Sequence, residues 1–261
     1  MANVERKSPG IHKEDIRLNK FLAMAGVGSR RGNDELIVSG VVRVNGKKAD
    51  ELGAKVDPDR DIVTVNGNTV HVAQHDVYIL FNKPKDCITT LSDEKDRTTV
   101  LDYVRVKQRV FPIGRLDRNT TGILLLTNDG ELTNSLIHPS FEIEKTYKVS
   151  LDKPLKAEDL VRLKRGIHLE DGVARANEIE FVEGSKRMRV FVSIHEGRNR
   201  EVRRLFDALG YDVKYLDRVS FAGLGYSGLQ RGEWRYLTNA EVRYLQELVS
   251  RRESVNTLPK G

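Results

Sequence analysis

The chain has 261 residues, 39% hydrophobic and 31% charged, with 44 Lys and Arg against 38 Asp and Glu, a formal charge of +6. This composition suits a soluble globular chain with one large and one small domain, the larger burying about 70% of its unfolded surface, and it excludes wholesale disorder. The single Cys87 excludes an intramolecular disulfide, no Cys and His spacing suits zinc, and no apolar run approaches the roughly 20 residues of a membrane span.

The first segment, Met1 to Glu14, is charged and lacks the apolar core of an export signal, so it reads as a flexible tail of a cytoplasmic protein. Leu18, Phe21, Leu22 and Ala25 then repeat at helical spacing, and Gly26 ends that stripe. Ser29 is placed to cap a second helix carrying Leu36 and Ile37, which stops at Gly40. Val41 to Val44 and Ile62 to Val65 read as strands, each running into a turn signal, Asn45-Gly46 and Asn66-Gly67. These pieces form a compact module of two helices and a small sheet, residues 15–74. From Arg17 to Lys48 it holds seven basic residues against Asp34 and Glu35, a local charge of +5. Arg17 and Lys20 lie one turn apart on the first helix. Arg30 and Arg31 start the second helix, where free backbone N–H groups would join them in holding a phosphate. The alternative for such a cluster is a solvated helix face.

The composition turns polar near Val72 to Asp76, and a second domain is expected over residues 75–250. Val77 to Phe81 reads as its first strand, stopped by Lys83-Pro84. Irregular alternation of strands and short helices follows, which indicates an α+β domain with a mainly antiparallel sheet rather than a doubly wound parallel one. The clearest strands are Gly122 to Thr127, then Thr146 to Leu151 with Tyr147, Val149 and Leu151 on one face, and Met188 to Ile194. The clearest helix is Asn199 to Leu209, closed by Gly210. A second basic block, Lys186 to Arg235, has eleven basic and six acidic residues. Two basic blocks suggest two contact surfaces on one polyanion. From Arg251 on, the chain reads as a frayed tail.

Asp117 lies in a polar loop directly before the apolar Gly122 to Thr127 run, between Arg115 and Arg118. A carboxylate at the mouth of a buried strand is rigidly placed, and the two arginines would attract a polyanion and favour its ionised form. The plain alternative is a turn whose Asp accepts backbone N–H groups. Asp129 reads as a helix start rather than the second carboxylate of a glycosidase-like pair.

The string from Arg17-Leu18-Asn19-Lys20-Phe21-Leu22 through Gly28-Ser29-Arg30-Arg31 to Arg43-Val44-Asn45-Gly46 resembles the alpha-L, or S-four-type, RNA-binding domain. Gly114-Arg115-Leu116-Asp117-Arg118-Asn119-Thr120-Thr121-Gly122 resembles the signature of the RsuA-like ribosomal RNA pseudouridine synthases. Lys145-Thr146-Tyr147, Gly197-Arg198-Asn199-Arg200-Glu201-Val202-Arg203-Arg204 and Val213 to Val219 resemble that family's later motifs, in order. The resemblance spans Ile16 to Leu248 and leans towards the RluB-like, large-subunit members. It implies an isomerase that turns a flipped-out uridine of ribosomal RNA, or of a ribosome-assembly intermediate, into pseudouridine without a cofactor; the oligomeric state is open, with a monomer the default. Asp117 would be the nucleophile. Tyr147 would stack on the base and help move the proton from C5, Arg203 would pair with Asp117, and Leu216 would wall the pocket. Arg203 would also have Asp207 as a competing partner one turn on, a pair worth only about 0.3–0.5 kcal/mol when exposed. RNA contacts would fall to Arg17, Lys20, Arg30, Arg31, Arg43 and Lys47 in the first module and to Arg115, Arg118, Arg198 and Arg200 in the second. Arg115 is the candidate to fill the gap left by the extruded base. The competing expectation is an RNA-binding assembly factor with an inactive core.

Overall fold

The computed structural model describes residues 15–72, 75–91, 93, 95–226 and 228–256. The expected tail at 1–14, and residues 257–261 of the tail expected from Arg251, lie outside these residues. The chain divides between His75 and Asp76 into two compact units.

In the first unit, α1 (Leu18–Met24) buries Leu18, Phe21 and Leu22, while α2 (Arg30–Val38) starts at Ser29, whose side chain accepts from the Gly32 N–H. The Asn19 amide donates to Asp34 at 2.8 Å, tying the two helices together. The strands β1 (Val42–Val44), β2 (Lys47–Lys48), β3 (Val63–Val65) and β4 (Asn68–Val70) form one antiparallel sheet in the order β2-β1-β3-β4. Asn45 and Asn66 both adopt positive φ, as their tight turns require. Val42, Val56 and Val63 close this small core over the two helices.

The second unit is built on one long sheet. Its strands are β5 (Tyr78–Lys83), β6 (Thr121–Thr127), β7 (Lys145–Leu151), β8 (Ile167–Leu169) and β9 (Gly172–Ala174), which form a separate hairpin, then β10 (Glu178–Phe181), β11 (Arg189–Ile194), β12 (Val213–Phe221) and β13 (Trp234–Tyr236). The main sheet runs β10-β11-β7-β12-β6-β5-β13. Every pairing along it is antiparallel except β12 with β6, which is parallel and lasts for only two residue pairs. The expected mainly antiparallel α+β architecture is therefore the observed one.

Helices cover both faces of the sheet. Ile79, Phe81, Leu124 and Leu126 face a core with α3 (Val100–Tyr103), α5 (Ala157–Arg165) and α6 (Glu201–Asp207). Leu80, Ile123 and Leu125 face the other side, where α4 (Gly130–Ile137) and α7 (Asn239–Asn256) pack. Cover on both sides explains why β6 is apolar throughout instead of alternating. Strand β7 alternates buried and half-buried residues, with Tyr147, Val149 and Leu151 inward. Asp129 caps α4, accepting from the Glu131 and Leu132 N–H groups, so it serves the helix and not a carboxylate pair. Helix α7 continues to Asn256, beyond the point at Arg251 where the sequence suggests fraying. Among the described residues no helix is long and apolar enough to cross a membrane.

Candidate active site

The close approach of β6 and β12 requires Gly122: a Cβ there would lie 2.1 Å from the Arg218 carbonyl oxygen. Immediately before β6 the chain forms the Asp117 loop, and Thr121 and Gly122 then pair with Asp217 and Arg218 in the middle of β12. A cleft of about 380 Å³ opens there, lined by Asp117, Tyr147, Leu216 and Val202 together with Arg115, Lys145, Arg200, Glu201, Arg218 and Phe221. Tyr147 and Leu216 are buried in its wall, as their strand positions lead one to expect. The structure thus brings together Asp117, Tyr147 and Leu216 from segments about 30 and 70 residues apart in sequence.

The loop is fixed from beneath by Lys83, a fully buried residue at the end of β5. Its ammonium donates to the carbonyls of Asp117 at 3.1 Å, Arg118 at 3.2 Å, Thr120 at 2.8 Å and Pro84 at 3.1 Å. Removal from water pushes the Lys83 ammonium down to about 8, against the pull of nearby Cys87 and Asp117. Lys145, at the start of β7, donates to the carbonyls of Ile143 and His195, both at 2.8 Å. Burial and the neighbouring Arg218 lower it to about 8 as well. Glu201, buried beside it, has its carboxyl raised by desolvation and accepts from the Arg198 N–H at 3.1 Å.

The partner of the Asp117 carboxylate differs from the expected one. Arg200 Nη1 lies 3.4 Å from Asp117 Oδ2. Arg203 instead donates to the Val213 carbonyl at 2.7 Å, and its Nε is buried without an acceptor. The reason is local: Arg203 projects from α6 into the elbow with the first residue of β12, while Arg200 precedes the helix in a left-handed conformation, φ 49°, on the cleft rim. Asp117 acts on Arg203 only as a nearby charge, and among the described residues Arg203 and Asp207 form no ion pair. Burial lowers the Arg203 guanidinium first, and the like charge of Arg200 adds to this.

Two other arginines are also committed elsewhere. Arg118 pairs with Asp86 at 3.0 Å and does not flank the Asp117 carboxylate. Arg198 donates to the carbonyls of Asp171 and Val173, both at 3.1 Å, and pairs with Glu196, tying the β8–β9 hairpin to the cleft rim. Arg204 reinforces that tie with a two-pronged pair to Asp171 at 2.9 Å. Arg115 is exposed at the cleft mouth, where an RNA contact is open to it. In the first unit Arg17, Arg30, Arg31, Arg43 and Lys47 are exposed, Lys20 is half-buried, and Arg43 donates to the Gly46 carbonyl at 3.1 Å. Lys83 and Arg218 were absent from the sequence expectations. A charged residue closing or interrupting an otherwise buried strand was the available signal for both.

A carboxylate on a rigid loop shares a cation-edged cleft with an aromatic ring and an apolar wall, an arrangement suited to a flat ring carried on a polyanion. The chain matches the family described as RNA pseudouridylate synthase over residues 77–208, and the S4 domain over residues 16–62, and it belongs to that synthase family. It is 45% identical over 237 residues to the Bacillus subtilis (strain 168) ribosomal large subunit pseudouridine synthase B, covering 89% of this chain and 96% of that protein. It is 41% identical over 250 residues to the protein of the same name from Vibrio cholerae, covering 93% of this chain and 78% of the other. A solved pseudouridylate synthase superposes with a TM-score of 0.63 at 27% identity, over 88% of this chain and 99% of the other.

Proposed function

We propose that this synthase isomerises a uridine of large-subunit ribosomal RNA, working in the cytoplasm as a monomer, with Asp117 as its nucleophile. The observation that carries the reading is the position of the Asp117 carboxylate: at the cleft mouth, on a loop pinned by Lys83, facing Tyr147 and Leu216. In this reading residues 15–74 hold the RNA through Arg17, Lys20, Arg30, Arg31, Arg43 and Lys47, reading shape and phosphates. Residues 75–250 do the chemistry, with Arg115 and Arg200 at the entrance.

The target base must leave its stack, at a cost of a few kcal/mol that RNA contacts offset. The net atom balance is the same whether the carboxylate attacks the ribose or the ring. The bond from N1 to C1′ breaks and its electron pair stays with the ring. The ring turns over, and C5 bonds to C1′. The C5 proton leaves, with Tyr147 placed to help, and N1 ends protonated. Arg200 pairs with the Asp117 carboxylate, and Arg203 adds a second positive charge nearby. The large-subunit assignment rests on the relatives named above.

Tritium release from carbon-5-labelled uridine tests the reading, with large-subunit and small-subunit ribosomal RNA transcripts as separate substrates. Release from the large-subunit transcript alone, abolished in Asp117→Ala, is expected. No release from either would leave the inactive assembly factor as the better description, and undiminished release by Asp117→Ala would remove Asp117 as the nucleophile.

A further inference from the structure

Arg218 is among the most buried charged residues of the chain, 2% exposed, and it lines the cleft. It lies directly across the β7–β12 ladder from Tyr147 and two residues from Leu216. Its Nε donates to the Ile123 carbonyl at 2.7 Å, the carbonyl just beyond the point where β6 and β12 stop pairing. Its guanidinium lies over the Phe221 ring at 4.9 Å. Neither Nη group has an acceptor among the described residues, and Nη2 is buried. An unsatisfied guanidinium in a buried position is costly, more so beside the cations Lys83 and Lys145, and Nε alone would secure the Ile123 carbonyl.

The geometry points to Arg218 as the donor that holds a ring carbonyl of the target uracil through the turn of the base. The proposal rests on the cleft being where that ring turns. Breaking the bond from N1 to C1′ leaves an electron pair that the ring spreads over N1 and both carbonyl oxygens. A fixed cation with unused N–H groups stabilises that charge as it develops. The turn that exchanges N1 for C5 runs about the axis through N3 and C6, so it also exchanges the two carbonyls. A donor placed to meet one carbonyl before the turn meets the other after it. One immobile guanidinium therefore serves both orientations, and Tyr147 and Phe221 bound the space in which the ring moves. A side chain that tracked the base would have to move, and Arg218 is anchored at Nε.

The experiment compares the full-length wild type with Arg218→Met and Arg218→Lys on a carbon-5-tritiated large-subunit ribosomal RNA transcript. Single-turnover rate, filter-binding affinity and thermal midpoint are measured for each. Arg218→Met is expected to lose at least about 100-fold in rate, as loss of a donor to a developing oxyanion does, with RNA affinity within about threefold. Arg218→Lys should regain part of the rate. Its rate relative to wild type should fall as pH rises from 6 to 9, because a buried ammonium titrates there and a guanidinium does not. An Arg218→Met rate within threefold of wild type, or a rate loss matched by a loss of RNA affinity, would overturn the assignment. If Arg218→Met does not fold, an Arg218→Lys rate in constant ratio to wild type across that pH range overturns it equally. Failure of the wild type to release tritium would instead count against the assigned reaction.

Discussion

Replacing Lys83 by Met tests the idea that the nucleophile is placed by a buried cation beneath its loop. The Lys83 ammonium stays charged at neutral pH although burial lowers it from 10.5 to about 8, a penalty of about 3 kcal/mol at ~1.36 kcal/mol per pH unit. Methionine removes that penalty but takes a donor from the carbonyls of Pro84, Asp117, Arg118 and Thr120, of which Asp117 keeps the Thr120 N–H at 3.0 Å. Each of the other three costs roughly 1–3 kcal/mol, so at about 2 each the net loss is about 3 kcal/mol. That is survivable for a domain of this size, and the loss is concentrated in the loop that carries Asp117. Lys83→Met should therefore remain folded, lose about 3 kcal/mol in urea denaturation and release tritium at least about 100-fold more slowly, with RNA affinity little changed. The linkage sign provides a second readout. Between about 8 and 10.5 the unfolded chain binds a proton that the folded chain does not, so the contribution of Lys83 to stability rises with pH across that window. Lys83→Met should flatten that rise, leaving the part due to Lys145. A variant destabilised by less than about 1 kcal/mol, with wild-type turnover, would refute the reasoning.

Three further outcomes are expected. Arg200→Ala removes an ion pair that is half open to solvent, so stability should change by less than about 1 kcal/mol, while single-turnover rate drops about tenfold as Asp117 loses its direct partner. Gly122→Ala drives a methyl group into the Arg218 backbone and should cost more than about 3 kcal/mol, read as a large fall in thermal midpoint with loss of activity. Glu241, held down to about 2 chiefly by its hydrogen bonds from Arg235, contributes stability present above about 4.5 and lost as pH falls towards 2. With a solvent discount for this partly exposed pair, Glu241→Gln should be less stable than wild type by about 1–2 kcal/mol at pH 7, and the difference should vanish near pH 2 in denaturant titrations.

The elements that follow a period were legible in the sequence. The stripes of α1 and α6, the alternation of β7 and the doubly covered run of β6 each declare their burial through spacing alone. Asp117 was legible because its loop abuts such a run and because the surrounding string resembles a known signature. What the sequence does not carry is the choice among several arginines. Arg198, Arg200, Arg203 and Arg204 lie within seven positions, yet they meet the hairpin turn, Asp117, the start of β12 and Asp171 respectively. Those partners come from segments distant in sequence, and no local rule selects among them. Lys83 was hidden for a similar reason: its role depends on four carbonyls, three of them more than 30 residues away.

The place of β12 between β6 and β7 has a consequence for biosynthesis. The chain produces β5 and β6 early, and then β7, β10 and β11 as a second antiparallel group. Until residues 213–221 leave the ribosome, the facing sides of β6 and β7 are open edges flanked by apolar side chains, a template for wrong pairing. The strand that joins the two groups also carries Leu216 and Arg218. A nascent chain thus gains its catalytic cleft only when the exposed edges are sealed, and truncation before Val213 should yield an insoluble product rather than a weak enzyme.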